Sequence, residues 1–115
     1  MEPAGAIYGG GRWVPHPLPW QLRTMAETVK DAVLLTCGED ATFYVGPRLY
    51  DQHGQRLGGC VPTIGRIRGA PLVSLCCRDP EWVAFHESWH YVNGEGEAEA
   101  DAYAERMTGR KWNPR

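Results

Sequence analysis

The chain has 115 residues, 43% of them apolar, and a formal net charge of −2. Such a chain suffices for one compact domain around one core, and its composition argues against global disorder. No apolar run approaches the ~20 residues that span a bilayer, and the charge balance lacks the strongly basic face of a nucleic-acid binder. Met1-Glu2-Pro3 has neither the basic nor the apolar region of a secretory signal. A cytoplasmic protein with neither membrane nor nucleic acid as partner is therefore expected.

Residues 1–18 are rich in Gly and Pro and predict an irregular or extended N-terminal arm. Trp13 and Trp20 suggest that part of this arm packs on the body. From Pro19 to about Leu35 the pattern turns helical. Leu22, Met25, Ala26, Val29, Ala32 and Val33 recur at spacings of three and four, and Gly38 is a stop signal just beyond. This helix is expected to back a sheet. Residues 41–50 are rich in β-branched and aromatic residues, with Pro47 pointing to an edge or a bulge. After a turn over 51–55 come short strand-like pieces near 57–61, 63–68 and 71–77. Short strands separated by Gly and Pro predict a small, largely antiparallel sheet. Asp79-Pro80-Glu81 then reads as a helix start: a cap, a first-turn proline and an acid at the positive end of the dipole. That helix should run to about Val92, broken by Asn93-Gly94-Glu95-Gly96. A last helix is expected from about Glu97 to Met107, stopped by Gly109. The expected organisation is an α+β fold, with a single domain over 19–109 and a C-terminal tail over 110–115.

Four cysteines (Cys37, Cys60, Cys76, Cys77) match no zinc-module spacing. They read as small buried apolar residues, with a Cys37–Cys60 disulfide or a second metal site as alternatives. Arg66 and Arg68 read as solvated arginines on one strand face.

The segment His86-Glu87-Ser88-Trp89-His90 carries the chemistry. It is an H-E-x-x-H motif on a predicted helix. Residues four apart share a helix face, so the two imidazoles can ligate one ion. Glu87 lies roughly 100° further round, beside that face, where it can reach a water on the metal without being a ligand. That is the mechanism behind this motif in zinc metallopeptidases. A catalytic zinc needs a third protein ligand. The metzincin extension would require Gly at Asn93 and His at Gly96, and neither matches.

The next helix instead opens with Glu97-Ala98-Glu99-Ala100-Asp101, similar to the E-x-x-A-D signature of gluzincin metallopeptidases. That group includes the ImmA/IrrE-type peptidases and the minigluzincins. The resemblance covers about residues 79–107. It implies a zincin-like fold, Zn2+ as cofactor, Glu97 as third ligand and Asp101 as an acceptor that orients a ligating histidine. Positions four apart on one face and the habit of ligating histidines to donate their second N–H give this physical sense. The small residues Ala100 and Ala104 would let the last helix pack closely on the helix of the motif. Only six residues separate His90 from Glu97, a shorter link than these families use. Gly94 and Gly96 permit a sharp reversal there, and Glu95 and Glu99 stand as rival ligands. Tyr91, Tyr103, His53 and Arg66 are candidates to assist at the oxyanion or the substrate. The expected function is hydrolysis of a protein or peptide substrate, laid extended along a sheet edge near residues 61–69. The alternative is a non-catalytic or latent metal-binding module that engages a protein partner.

Overall fold

In the computed structural model, Ala6–Gly9 (β1) and Arg12–Trp13 (β2) form an antiparallel hairpin in which Gly9 faces Arg12. Its two-residue turn, Gly10-Gly11, has φ +60° and +78°. A type I′ turn demands that positive pair, which glycine adopts without a steric cost. The expected irregular arm over 1–18 is corrected to this extent: residues 6–13 are a paired part of the sheet. The described residues are 6–14, 20–46, 49–50, 53–54, 56–57, 59–60, 63–64, 67–68 and 70–112. Residues 1–5 and 15–18 of the arm, Pro47, Arg66 and the end of the tail from 113 lie outside them.

Helix α1 spans Trp20–Cys37 and buries Ala26, Val29, Ala32 and Val33, the apolar stripe the sequence predicts. It ends where the Gly38 N–H is donated to the Leu34 carbonyl. Strand β3 (Phe43–Gly46) follows, then the pair β4 (Leu49–Tyr50) and β5 (Arg56–Leu57), β6 (Gly59–Cys60), the pair β7 (Thr63–Ile64) and β8 (Ile67–Arg68), and β9 (Leu72–Ser74). Helices α2 (Pro80–Asn93) and α3 (Glu97–Thr108) complete the described chain. No helix among the described residues is long and apolar enough to cross a membrane.

The main sheet runs β2-β1-β3-β9-β6. Its neighbours pair antiparallel except at the centre, where β3 and β9 are parallel with Val45 beside Val73. The fold is α+β, and the sheet is mostly antiparallel, as expected, but mixed through its one parallel pair. The expectation of a sheet edge near 61–69 is corrected. Among the described residues, Thr63–Ile64 and Ile67–Arg68 pair with each other, and β6 is the edge beside β9.

One face of the sheet makes the core. Tyr8, Phe43, Val45 and Val73 pack with the α1 stripe and with Trp82, Val83 and Phe85 of α2. Phe43, Val29, Val33, Val45 and Val73 are fully buried, each stabilising the fold by about 1.5–3 kcal/mol. Tyr8 stacks on Phe43 at 5.3 Å, and Trp13 sets its edge on both rings. Trp13 Nε1–H is donated to Glu27 of α1 at 2.8 Å. That bond and this cluster hold the hairpin on the body. The Cys37 thiol is free and half-buried, which pushes its pKa up.

Candidate metal centre

The site is built on α2. Asp79 caps it, its carboxylate accepting the Trp82 backbone N–H at 3.1 Å. Residues 82–88 are buried without a break, because α1 lies on one side of α2, α3 on another and the sheet beneath. A helix buried on all sides is normally apolar all round. Here two of the buried side chains are His86 and Glu87, each 8% exposed. Burying such groups costs several kcal/mol unless something compensates, so their presence points to a function.

Helix α3 returns antiparallel to α2 through a reversal at Gly94 and Gly96. The Gly94 N–H closes α2 on the His90 carbonyl at 2.8 Å. Gly96 sits at φ +138°, and a Cβ there would meet the Glu99 carboxylate at 2.8 Å and the Trp89 ring at 3.0 Å. Ala100 and Ala104, both fully buried, bring α3 close to α2 as their size suggests.

That close approach makes three side chains converge. His86 Nε2 and His90 Nε2 lie 3.2 Å apart. The Glu97 carboxylate is 3.2 Å from the first and 2.9 Å from the second. Among the described residues these three form the group able to hold a metal ion. The outer nitrogens are engaged as well. His90 Nδ1 is 2.8 Å from the Gly94 carbonyl, to which it donates. His86 Nδ1 lies 3.0 Å from Asp101 Oδ1, at ion-pair distance though outside hydrogen-bond alignment. With a proton on each Nδ1, both Nε2 lone pairs face the same point as the carboxylate. A proton on one imidazole satisfies one edge of that triangle; a cation satisfies all three. Two ligands about 2.0–2.1 Å from a tetrahedral zinc stand about 3.3 Å apart, which matches the spacings here. The residues present therefore fit a zinc-sized ion.

Glu87 sits beside this group, its Oε1 3.9 Å from His86 Nε2. Burial pushes its carboxyl up to about 7, His90 opposing and Glu97 adding to the shift. Burial likewise lowers the His86 pKa, against the pull of Glu97. A divalent cation at the centre would pull the Glu87 value down again. The Glu97 side chain is 78% exposed, so the group opens to solvent on one side.

The other candidates fall elsewhere. Tyr103 points to α1, its hydroxyl 2.8 Å from that of Thr36 and its ring edge-on to Phe85, a packing role. Tyr91 is 37% exposed on α2, roughly 140° round from His86. His53 occupies the exposed turn between β4 and β5 and is not part of the convergent group. Arg66 is outside the described residues. Glu99 lies against Gly96, and the convergent group holds Glu97 and not Glu95 or Glu99. The sequence reading missed Trp82, which stacks on the His86 ring at 5.1 Å and 21°. Its position four residues before His86, on the same helix face, was the available signal.

Comparison of the chain with protein-family models, with curated proteins and with solved structures finds no match to any of them.

Proposed function

We propose that this chain is a zinc-dependent peptidase of gluzincin type, with His86, His90 and Glu97 as metal ligands on a zincin-like pair of helices and Glu87 as the proton carrier. The observation that carries the reading is the convergence of two imidazole Nε2 atoms and one carboxylate within 3.2 Å of one another, with a second, buried carboxylate beside them. Two nitrogens and one oxygen suit zinc, and three protein ligands leave a position open for chemistry. When bound, the ion supplies a Lewis acid that polarises a carbonyl and acidifies a water.

The chain's own groups do the rest. Glu87 takes a proton from the attacking water as its oxygen bonds to the peptide carbonyl carbon. Glu87 then gives that proton to the amine nitrogen as the C–N bond breaks. Asp101 and the Gly94 carbonyl hold the imidazoles so that Nε2 faces inward. The substrate class is a protein or peptide in extended form. Among the described strands β6 is the edge beside β9 and is in contact with α2, and it offers backbone groups for the substrate to pair with.

The test is Glu87→Gln in the full chain, assayed on a fluorogenic peptide library with zinc content measured in parallel. Zinc binding is expected to persist and cleavage to fall by at least about 100-fold. His86→Asn and His90→Asn are expected to lose the metal. Cleavage retained by Glu87→Gln overturns the mechanism, and zinc retained by both histidine variants overturns the site.

A further inference from the structure

The segment after α3 does not lead away from the molecule. Because α2 and α3 are antiparallel, the end of α3 arrives at the start of α2. There Arg110 places its guanidinium on Asp79, with contacts of 2.8 and 2.9 Å, and on Glu81 at 2.8 Å. The Arg110 carbonyl accepts Trp82 Nε1–H at 3.1 Å. Two residues on, Trp112 packs on the Trp82 ring with centroids 5.1 Å apart. Trp82 is only 3% exposed, and its ring is the one stacked on His86.

Resting on the metal-site reading, we propose that Trp82 is a positioning residue for His86, and that Arg110–Trp112 holds Trp82 in place, making this segment a working part of the metal centre. An imidazole is free to turn about its own Cβ–Cγ bond unless its neighbours stop it. For His86, Asp101 stands at Nδ1 and the His90 ring meets it at 75°. Neither lies parallel to the flat of the ring. Trp82 does, at an interplanar angle of 21°. A ligand must be held within about 0.5 Å and 10–20° of its working pose, so loosening Trp82 loosens Nε2. Trp82 has two supports from beyond α3, the Arg110 carbonyl and the Trp112 ring. The Arg110 guanidinium fixes the first through Asp79 and Glu81, the residues that begin α2. The chain of contact from Trp112 to the metal ligand is Trp112, Trp82, His86, and no link in it is a metal ligand's own hydrogen bond.

Two readouts test this on the full chain. One is zinc affinity, by competition with a chelating dye. The other is the imidazole NMR signals of His86 in metal-free protein, assigned by loss in His86→Asn. Trp82→Leu is expected to weaken zinc about tenfold and Trp112→Ala roughly threefold, as for changes to groups that support ligands from outside. Trp112→Phe should restore most of the loss. Trp112→Ala should also move the His86 ring signals, through the changed ring current of Trp82. Thr36→Val removes the hydroxyl contact with Tyr103 at the α1–α3 interface and controls for lost stability. It should leave both readouts unmoved. Should Trp112→Ala not fold, Arg110→Ala frees the other support, the Arg110 carbonyl, from its anchor on Asp79 and Glu81 through a side chain that is 48% exposed, and is expected to move both readouts in the same direction. Unchanged zinc affinity and unchanged His86 signals in a folded variant overturn the proposal, as does an equal response from Thr36→Val. A wild-type chain that takes no zinc sinks the metal-site reading instead, and the His86 signals then still decide whether Trp82 and its supports set the ring.

Discussion

His86 and His90 differ in how their outer nitrogens are held, and the difference is measurable. His90 Nδ1 is anchored by a main-chain carbonyl, that of Gly94, which no side-chain substitution removes. His86 Nδ1 depends on Asp101, a half-exposed carboxylate from the next helix. The His86 end of the centre is thus the one that mutation can loosen. Asp101→Ala is expected to weaken zinc binding about 10–100-fold, the usual cost of losing a carboxylate behind a ligating imidazole. Asp101→Asn keeps an oxygen at that point and should cost less. Dye competition with the two variants separates orientation from charge: equal losses would mean that charge alone matters, and no loss in either would remove Asp101 from the centre.

Between helices α2 and α3 the short reversal decides whether Glu97 reaches the histidines. Gly96→Ala puts a Cβ at φ +138° and against the Trp89 ring. Strain of this kind costs about 1–3 kcal/mol, and it falls one residue before Glu97. Urea unfolding should show that loss, and zinc affinity should drop with it; a variant with wild-type values for both would show the reversal to be slack. At the other end of the hairpin, Asp79 caps α2 and pairs with Arg110. The Arg110 guanidinium, more than burial can offset, holds the Asp79 carboxyl below its usual value. A depressed carboxyl stabilises the fold above its unfolded pKa of about 3.9 and loses that contribution as the pH falls through the folded value. Asp79→Asn keeps the capping oxygen and removes the charge. The two proteins should differ by about 0.5–1 kcal/mol at neutral pH, since Arg110 is half exposed, and converge below about pH 4. A constant gap through that range would place the effect elsewhere. These two helices were also what the sequence made legible. Asp79-Pro80-Glu81, the His86/His90 spacing and the Glu97-to-Asp101 run are local signals, and local signals survive in a single chain. The hairpin 6–13 was local too, but Gly9-Gly10-Gly11 reads as loose chain unless the last two are taken as a turn. The parallel pairing of β3 with β9 was not legible, because residues 47–71 separate partners that only tertiary packing brings together. Nor was the return of Arg110 and Trp112 to α2, for the same reason.

For the molecule as a whole, the convergent group sits at the margin of the hydrophobic core, meeting it through Trp82. The core is built mainly from the sheet, α1 and α2, with Ala104 of α3. The convergent group spans the seam with α3, where Glu97 faces solvent. Removing an ion from that seam takes no apolar contact out of the core, so the metal-free chain should keep its helices and a cooperative melt. Adding zinc should then stabilise by mass action alone, since the unfolded chain does not hold the three ligands together. At a free concentration 100 times the dissociation constant this amounts to about 2.7 kcal/mol, or roughly 10 °C in Tm for a domain of this size. His90→Asn should melt at the same temperature with and without zinc. Far-UV circular dichroism and thermal melts, with and without a chelator, read both quantities. If chelation instead abolishes the helical signal, the ion is part of the scaffold, and a domain that needs its metal to fold is better described as a zinc-stabilised module than as an enzyme with a replaceable cofactor.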